Sequence, residues 1–309
     1  LKLAIIGAGG VGGFLGAALK NAKEDVTFIA RGKHLEAMQK DVLHVKHPNL
    51  DFCQKVDGLS LDEFAKENLS VYDGLIILAK SNETENIAKI LKPQIDKLNR
   101  KPFIISLQNG VGNEELLCQY FSKDLVIGGL VVKISAHIKS PGHIEALGES
   151  HVIMGGLSEK SKPFLNDFKN ALEGANVKAT IAEDIRKELW RKLIINNGVN
   201  ALCALLEVKT GFVTNHPKLS QIVLGLMNET ARAAQVLKVN ISKEDVDEMF
   251  ALIRDFDSIK PSMLVDVEQG RRVELEAICG VVIKTLQKAG IDAPYTKTVS
   301  YLLEYKLQQ

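Results

Sequence analysis

The first thirty residues constrain the fold more than any other stretch. Lys2 to Ile6 is a short apolar run that leads straight into Gly7-Ala8-Gly9-Gly10-Val11-Gly12, after which Phe14 to Lys20 reads as a helix. A strand that feeds a glycine turn and then a helix can hold a dinucleotide pyrophosphate, and a second strand-like run, Asp25 to Ala30, arrives at the distance a βαβ unit needs. GxGxxG alone is common by chance; these flanks give it weight. On this reading Gly7 makes the tight turn, Gly9 lets the backbone approach the pyrophosphate, and Gly12 lets the helix pack close with its N-terminus facing the phosphates. Ala8, Gly10 and Val11 complete the cofactor-binding turn.

Where the second strand ends, a cofactor with a free ribose 2′-hydroxyl usually meets Asp or Glu. This chain offers Arg31 instead, with Lys33 nearby and no acidic residue at the position. A cation there favours a 2′-phosphate, so NADPH/NADP+ is expected over NADH. Further on, Leu75 to Ala79 reads as a buried strand ending at Lys80, and Phe103 to Leu107 as another ending in Gln108-Asn109-Gly110-Val111-Gly112-Asn113. Parallel sheets bind ligands at the carboxyl ends of their strands, which places Lys80 and Asn109 to reach cofactor or substrate. Asn113, followed by two glutamates, reads as a helix N-cap. Between Val126 and Gly156 three strand-like runs predict an antiparallel addition to the parallel sheet.

Beyond a last strand near Val177 to Ile181, helical periodicity takes over, so the expected domains are 1–181 and 182–309. No Pro/Gly/Ser-rich linker separates them, which suggests a shared cleft and not a tether. Early in the second half lies Glu188 to Asn200, ELWRKLIINNGVN, where Glu188, Lys192, Asn196 and Asn200 recur every fourth residue and share one helical stripe. A solvated edge is more readily built from Glu, Lys or Gln than from Asn, so two Asn aligned with a Lys suggest groups turned inward to meet something polar. One ammonium and two amides could hold a keto acid. Later, Pro261 to Glu276 is denser in polar groups than packing requires; Ser262 and Asp266 share a face, while Glu274 and Glu276 on a helix would diverge.

With 39 Lys plus Arg against 38 Asp plus Glu, the chain has no global field to attract nucleic acid or an anionic membrane. Seven dispersed histidines predict no metal site. The four cysteines, Cys53, Cys118, Cys203 and Cys279, lie far apart and read as small buried hydrophobes in a reducing compartment. No run is long and apolar enough to span a bilayer and no signal peptide precedes the first strand, so a cytoplasmic location is expected.

Taken together, GAGGVG with Arg31 beyond it, LIILAK ending at Lys80, QNGVGN at 108–113, ELWRKLIINNGVN at 188–200 and PSMLVDVEQGRRVELE at 261–276 resemble the ketopantoate reductase family over nearly the whole chain. The resemblance implies an α/β Rossmann-type N-terminal domain plus an all-α C-terminal domain, with the active site in the interdomain cleft. It implies NADPH-dependent reduction of 2-dehydropantoate to (R)-pantoate on the way to pantothenate and coenzyme A. Lys192 is then the catalytic lysine, and Glu274 the carboxylate at the substrate's hydroxyl end, counted here on the cofactor side as well. Asn196, Asn200 and Ser262 hold the substrate, and Lys80 and Asn109 line the cofactor side. Helical second domains of this kind often dimerise, so a homodimer through that domain is a candidate assembly.

Reduction of a ketone leaves negative charge on its oxygen, which calls for a proton donor or cation there. Lys192 can be both. Desolvation would lower its pKa and a nearby carboxylate would raise it, and the sequence leaves that balance open. Two other readings stand beside this one: a reductase of another branched 2-keto acid, and a non-catalytic NADPH-binding sensor.

Overall fold

The computed structural model describes residues 1–256 and 258–308. By its contacts the chain forms two compact units, Leu1–Ile185 and the residues from Arg186 onward. The first unit contains β1 (Lys2–Ile6), α1 (Gly10–Asn21), β2 (Asp25–Ile29), α2 (Gly32–Lys40), β3 (Leu43–His47), β4 (Leu50–Gln54), β5 (Asp57–Leu59), α3 (Leu61–Phe64), β6 (Gly74–Ile77) and α4 (Thr84–Ile95). It continues with β7 (Phe103–Ser106), α5 (Asn113–Leu117), β8 (Val126–Val132), β9 (Ser135–Ser140), β10 (His143–Leu147), β11 (His151–Gly156), α6 (Lys162–Gly174) and β12 (Lys178–Ile181).

Eight strands make the main sheet, in the order β12-β11-β8-β7-β6-β1-β2-β5. From β5 across to β8 every neighbour is parallel. Chain order reverses between β1 and β6, the switch point beyond whose carboxyl ends a Rossmann-type sheet binds its ligand. Helices cover both faces, which is why the strands read as continuous apolar runs. Leu3, Ile5, Ile76, Ile105 and Ile127 enter one core with Phe14, Leu15, Phe28 and Phe168. Their sequence neighbours Ala4, Ile6, Leu75, Ile77, Ile104 and Val126 enter the opposite one with Phe64, Ile87, Leu91 and Leu117.

The expected antiparallel addition is only partly right. β11 does pair antiparallel with β8. The hairpin β9–β10, however, leaves the main sheet and joins β3 and β4 in a separate four-stranded sheet, through a parallel β10–β3 pairing. Close packing explains the departure: a Cβ on Gly10 would collide with the Ala136 backbone, and one on Gly13 with Ile144, so α1 presents a glycine surface on which this second sheet lies. Alternation along β9 and β10 carries no sign of which sheet will receive it.

The second unit holds α7 (Ile185–Leu206, whose first residue still belongs to the first unit), α8 (Thr210–Asn215), α9 (Leu219–Val236), α10 (Lys243–Asp255), α11 (Ser262–Glu268), α12 (Val281–Lys288) and α13 (Pro294–Leu307). A π-helical turn, Glu276–Gly280, runs into α12. No strand occurs among its described residues. α7 and α9 approach closely at Gly198, where any Cβ would strike Met227. Ser242 and Asp245 form the capping box at the start of α10, and Asp245 also receives Lys187 at 3.0 Å and Arg191 from α7. The cysteines divide: Cys203 and Cys279 are buried as expected, Cys118 is partly exposed, and Cys53 lies exposed on β4.

Candidate active site

At the end of β1 the backbone enters the left-handed region at Gly7, φ +99°, where a Cβ would strike the Ala79 backbone. No L side chain fits that combination of dihedral and contact. Gly7 and Ala8 both donate to the Ile29 carbonyl, at 3.0 and 2.9 Å, tying the turn to the end of β2. A Cβ on Gly9 would meet nothing within 4 Å. Gly9 is also the N-cap of α1, which has no side-chain cap and no acidic residue in its first turn. Open space in front of uncapped helical N–H groups suits a pyrophosphate, whereas Gly12 is held against the Gly7 carbonyl by close packing.

Arg31 is exposed at the start of α2, and the structure adds what its sequence neighbours do not contain. Glu83, 52 residues away, brings a carboxylate oxygen to 3.4 Å from the guanidinium. The expectation that no acidic group competes at this position is corrected, because the strand order places the loop after β6 beside the end of β2's neighbour β1.

Lys80 and Asn109 sit in two loops joined by one polar network. The Ser81 hydroxyl donates to the Asn109 carbonyl at 2.6 Å. Thr84, fully buried, lies within hydrogen-bond reach of the Ser81 carbonyl, the Gln108 amide and the Asn113 Oδ1. Gln108 donates in turn to the Ala79 carbonyl at 2.9 Å. Asn113 is therefore not an N-cap: Gly112 occupies that position, and the buried Asn113 amide donates to the Asn109 carbonyl at 3.2 Å. Thr84 is the residue that sequence reading misses, since a lone Thr at a helix start has no distinguishing signal. Beside the network Glu114 is buried, and desolvation pushes its carboxyl up to about 7.

In the helical unit the stripe Glu188, Lys192, Asn196 is half-buried and Asn200 is buried. Burial brings the Lys192 ammonium down to about 8, against the charge of Glu274, which pulls it up. Desolvation wins the competition that the sequence left open. The two glutamates also separate. Glu274 is half-buried just ahead of the helical segment, whereas Glu276 is exposed in the π-turn and pairs with Lys284. Ser262 is exposed at the first position of α11, and Asp266 on that helix binds Arg271 at 2.7–2.8 Å.

Asn197, next to the stripe, is fully buried and donates from its amide towards Thr230, Thr296 and the Leu226 carbonyl, pinning α7 to α9 and α13. Glu229 on α9 accepts from the Tyr295 and Thr296 N–H groups at 2.9 and 2.8 Å and from the Thr296 hydroxyl at 2.6 Å. It substitutes for the side-chain cap that α13 lacks. Among the described residues, no group of three or more His, Cys, Asp or Glu could hold a metal ion, and no helix is long and apolar enough to cross a membrane.

A doubly wound sheet with a glycine turn at its switch point, followed by a separate helical unit, places the chain among proteins with a Rossmann-type α/β domain. The family model described as ketopantoate reductase PanE/ApbA matches residues 3–159, and the model of the same family's C-terminal region matches 184–306. The chain belongs to the ketopantoate reductase family. It is 31% identical to the 2-dehydropantoate 2-reductase of Archaeoglobus fulgidus, over 98% of this chain and 96% of that one. With the enzyme of the same name from Pyrococcus horikoshii it shares 29%, over 95% and 93%. The solved 2-dehydropantoate 2-reductase of Geobacter metallireducens superposes with a TM-score of 0.86 at 28% identity, covering 99% of this chain and 100% of that one. A D-mandelate dehydrogenase solved with NADH and anilino(oxo)acetate superposes at 0.90 over 100% and 98%, with 22% identity, a likeness in fold alone.

Proposed function

We propose that the chain is an NADPH-dependent 2-dehydropantoate 2-reductase that reduces the C2 ketone of 2-dehydropantoate, with Lys192 as proton donor. What carries the reading is Lys192, half-buried on α7 in one stripe with Asn196 and Asn200, its pKa brought by burial to about 8 against the charge of Glu274. Such a group is protonated at neutral pH and close enough to its pKa to give up the proton. The 2-dehydropantoate 2-reductases named above support the substrate.

NADPH, bound at the glycine turn, would supply the hydride. Lys192 stabilises the charge that develops on the ketone oxygen and then protonates it. Asn196 and Asn200, on the same stripe, can donate to the substrate carboxylate along with Ser262, and Glu274 can accept from the 4-hydroxyl. Lys80 and Asn109, fixed by the network around Thr84, face the cofactor.

The deciding assay follows NADPH oxidation with ketopantoate beside pyruvate and phenylglyoxylate, repeated with NADH. Turnover with ketopantoate well above the others supports the proposal. Preference for phenylglyoxylate would make the chain a reductase of another branched 2-keto acid, and NADPH binding without reduction of any would make it a sensor.

Glu274→Gln gives a further test. Glu274 raises the Lys192 pKa, so its neutralisation lowers that pKa further. The high-pH limb of the kcat profile then moves below about 8; an unmoved limb means that Lys192 is not the titrating donor. The cofactor preference is tested at Arg31 and Glu83. Arg31→Asp shifts preference towards NADH, and Glu83→Gln strengthens NADPH binding relative to NADH by about two- to fivefold, the scale of one exposed charge pair. Equal loss of both cofactors on Arg31→Asp would assign Arg31 a structural role.

A further inference from the structure

A cavity of about 340 Å³ opens in the first unit away from the glycine turn, between α1, the β3–β4 turn and the loops β8–β9, β10–β11 and α6–β12. Its apolar lining is Leu50 and Ala175, both half-buried, with Phe14 and Ala18 of α1 almost fully covered. Its rim carries two lysines and one glutamate, Lys133, Lys178 and Glu149, all exposed; His151 is in the lining, and Ser150 forms part of the wall. Ser150 is 7% exposed, and its hydroxyl has no hydrogen-bond partner among the described residues.

Ordinary structural duties do not account for these groups. Neither lysine lies within ion-pair distance of a carboxylate among the described residues, although many lysines elsewhere in the chain are so paired. Nor is Lys178 needed to cap the end of α6, whose last carbonyls already accept from Ala175, Asn176 and Val177. Three loops hold left-handed backbone at this place, at Lys133 (φ 58°), Gly148 (φ 101°) and Asn176 (φ 58°). Gly148 is forced, since a Cβ there would strike the Lys133 carbonyl. Burial, then Lys178 and Lys133, hold the His151 imidazole below its usual pKa, so both ammoniums act on the same point in space. His151 keeps its Nε2 on the Thr180 hydroxyl at 2.9 Å.

We propose that this cavity is a second ligand site, for a small organic anion with one carboxylate or phosphate head and a short apolar body. The two ammoniums take the head, and Leu50 and Ala175 take the body. Cavities near this size enclose small metabolites.

Isothermal titration of the full chain with butyrate and with propylphosphonate tests this, in the natural sequence, in the Lys133→Gln/Lys178→Gln double variant and in Arg31→Ala. Both lysines are exposed, so the double variant keeps its fold. The expected result is saturable binding of at least one probe, weakened about tenfold or more in the double variant, the scale of charge-assisted contacts to one head group, and unchanged in Arg31→Ala. Whichever probe binds more tightly identifies the head group. Absence of saturable binding by both probes, equal affinity in the double variant, or loss in Arg31→Ala overturns the proposal, the last by placing the anion at the glycine turn.

Discussion

Lys192→Ala is expected to lower kcat by about 10²–10⁴-fold while NADPH affinity stays nearly unchanged, the range for losing a positioned general acid. The expectation rests on the half-buried place of the ammonium in α7 and on its pKa of about 8. Its sign with pH follows directly. As a donor Lys192 would work only when protonated, so kcat of the natural chain is expected to hold below about 8 and to fall as pH rises through that value. In Lys192→Ala the residual rate should lose this limb. Cofactor fluorescence measures binding separately from turnover, so a general failure of the fold would register as lost NADPH binding. Unchanged turnover would remove Lys192 from the mechanism.

Glu229→Ala is expected to destabilise the helical unit by about 3 kcal/mol or more, the sum of a lost charge-assisted network and donors left unsatisfied in the interior. One carboxylate there accepts from two backbone N–H groups and a hydroxyl at the start of α13. Pro294, at the first position of the helix, has no N–H to satisfy, so Glu229 meets the donors that follow it. Through Thr296 the same cluster reaches Asn197 on α7. Urea denaturation of the natural chain, Glu229→Ala and Glu229→Gln measures the effect, with Gln expected to lose less because one acceptor oxygen remains. A loss under about 1 kcal/mol for Ala would mean that solvent replaces the carboxylate readily.

No residue of that cluster stands out in the sequence. Pro217 to Leu237 reads as scaffold helix, and Glu229 within it is indistinguishable from a solvated glutamate until α13 is packed against α9. Lys192 differs because its signal is local: the four-residue spacing with Asn196 and Asn200 survives without any tertiary contact. Glu83 shows the limit of that reasoning from the other direction. Arg31 has no acidic neighbour along the chain, yet strand order brings one to 3.4 Å.

What the sequence by itself determined follows from short-range physics. A glycine that must adopt φ +99° with no room for a Cβ marks the turn after β1, alternation of apolar residues fills both faces of the sheet, and a period of four aligns the polar stripe of α7. What only the tertiary structure decided are the outcomes of competition between groups distant in the chain. The β9–β10 hairpin chose a second sheet because glycines on α1 allow it to approach. Asn113 was drawn from capping into the Thr84 network. The Lys192 pKa fell because desolvation outweighed the pull of Glu274, a balance set by how much of the fold surrounds the ammonium and not by any residue beside it.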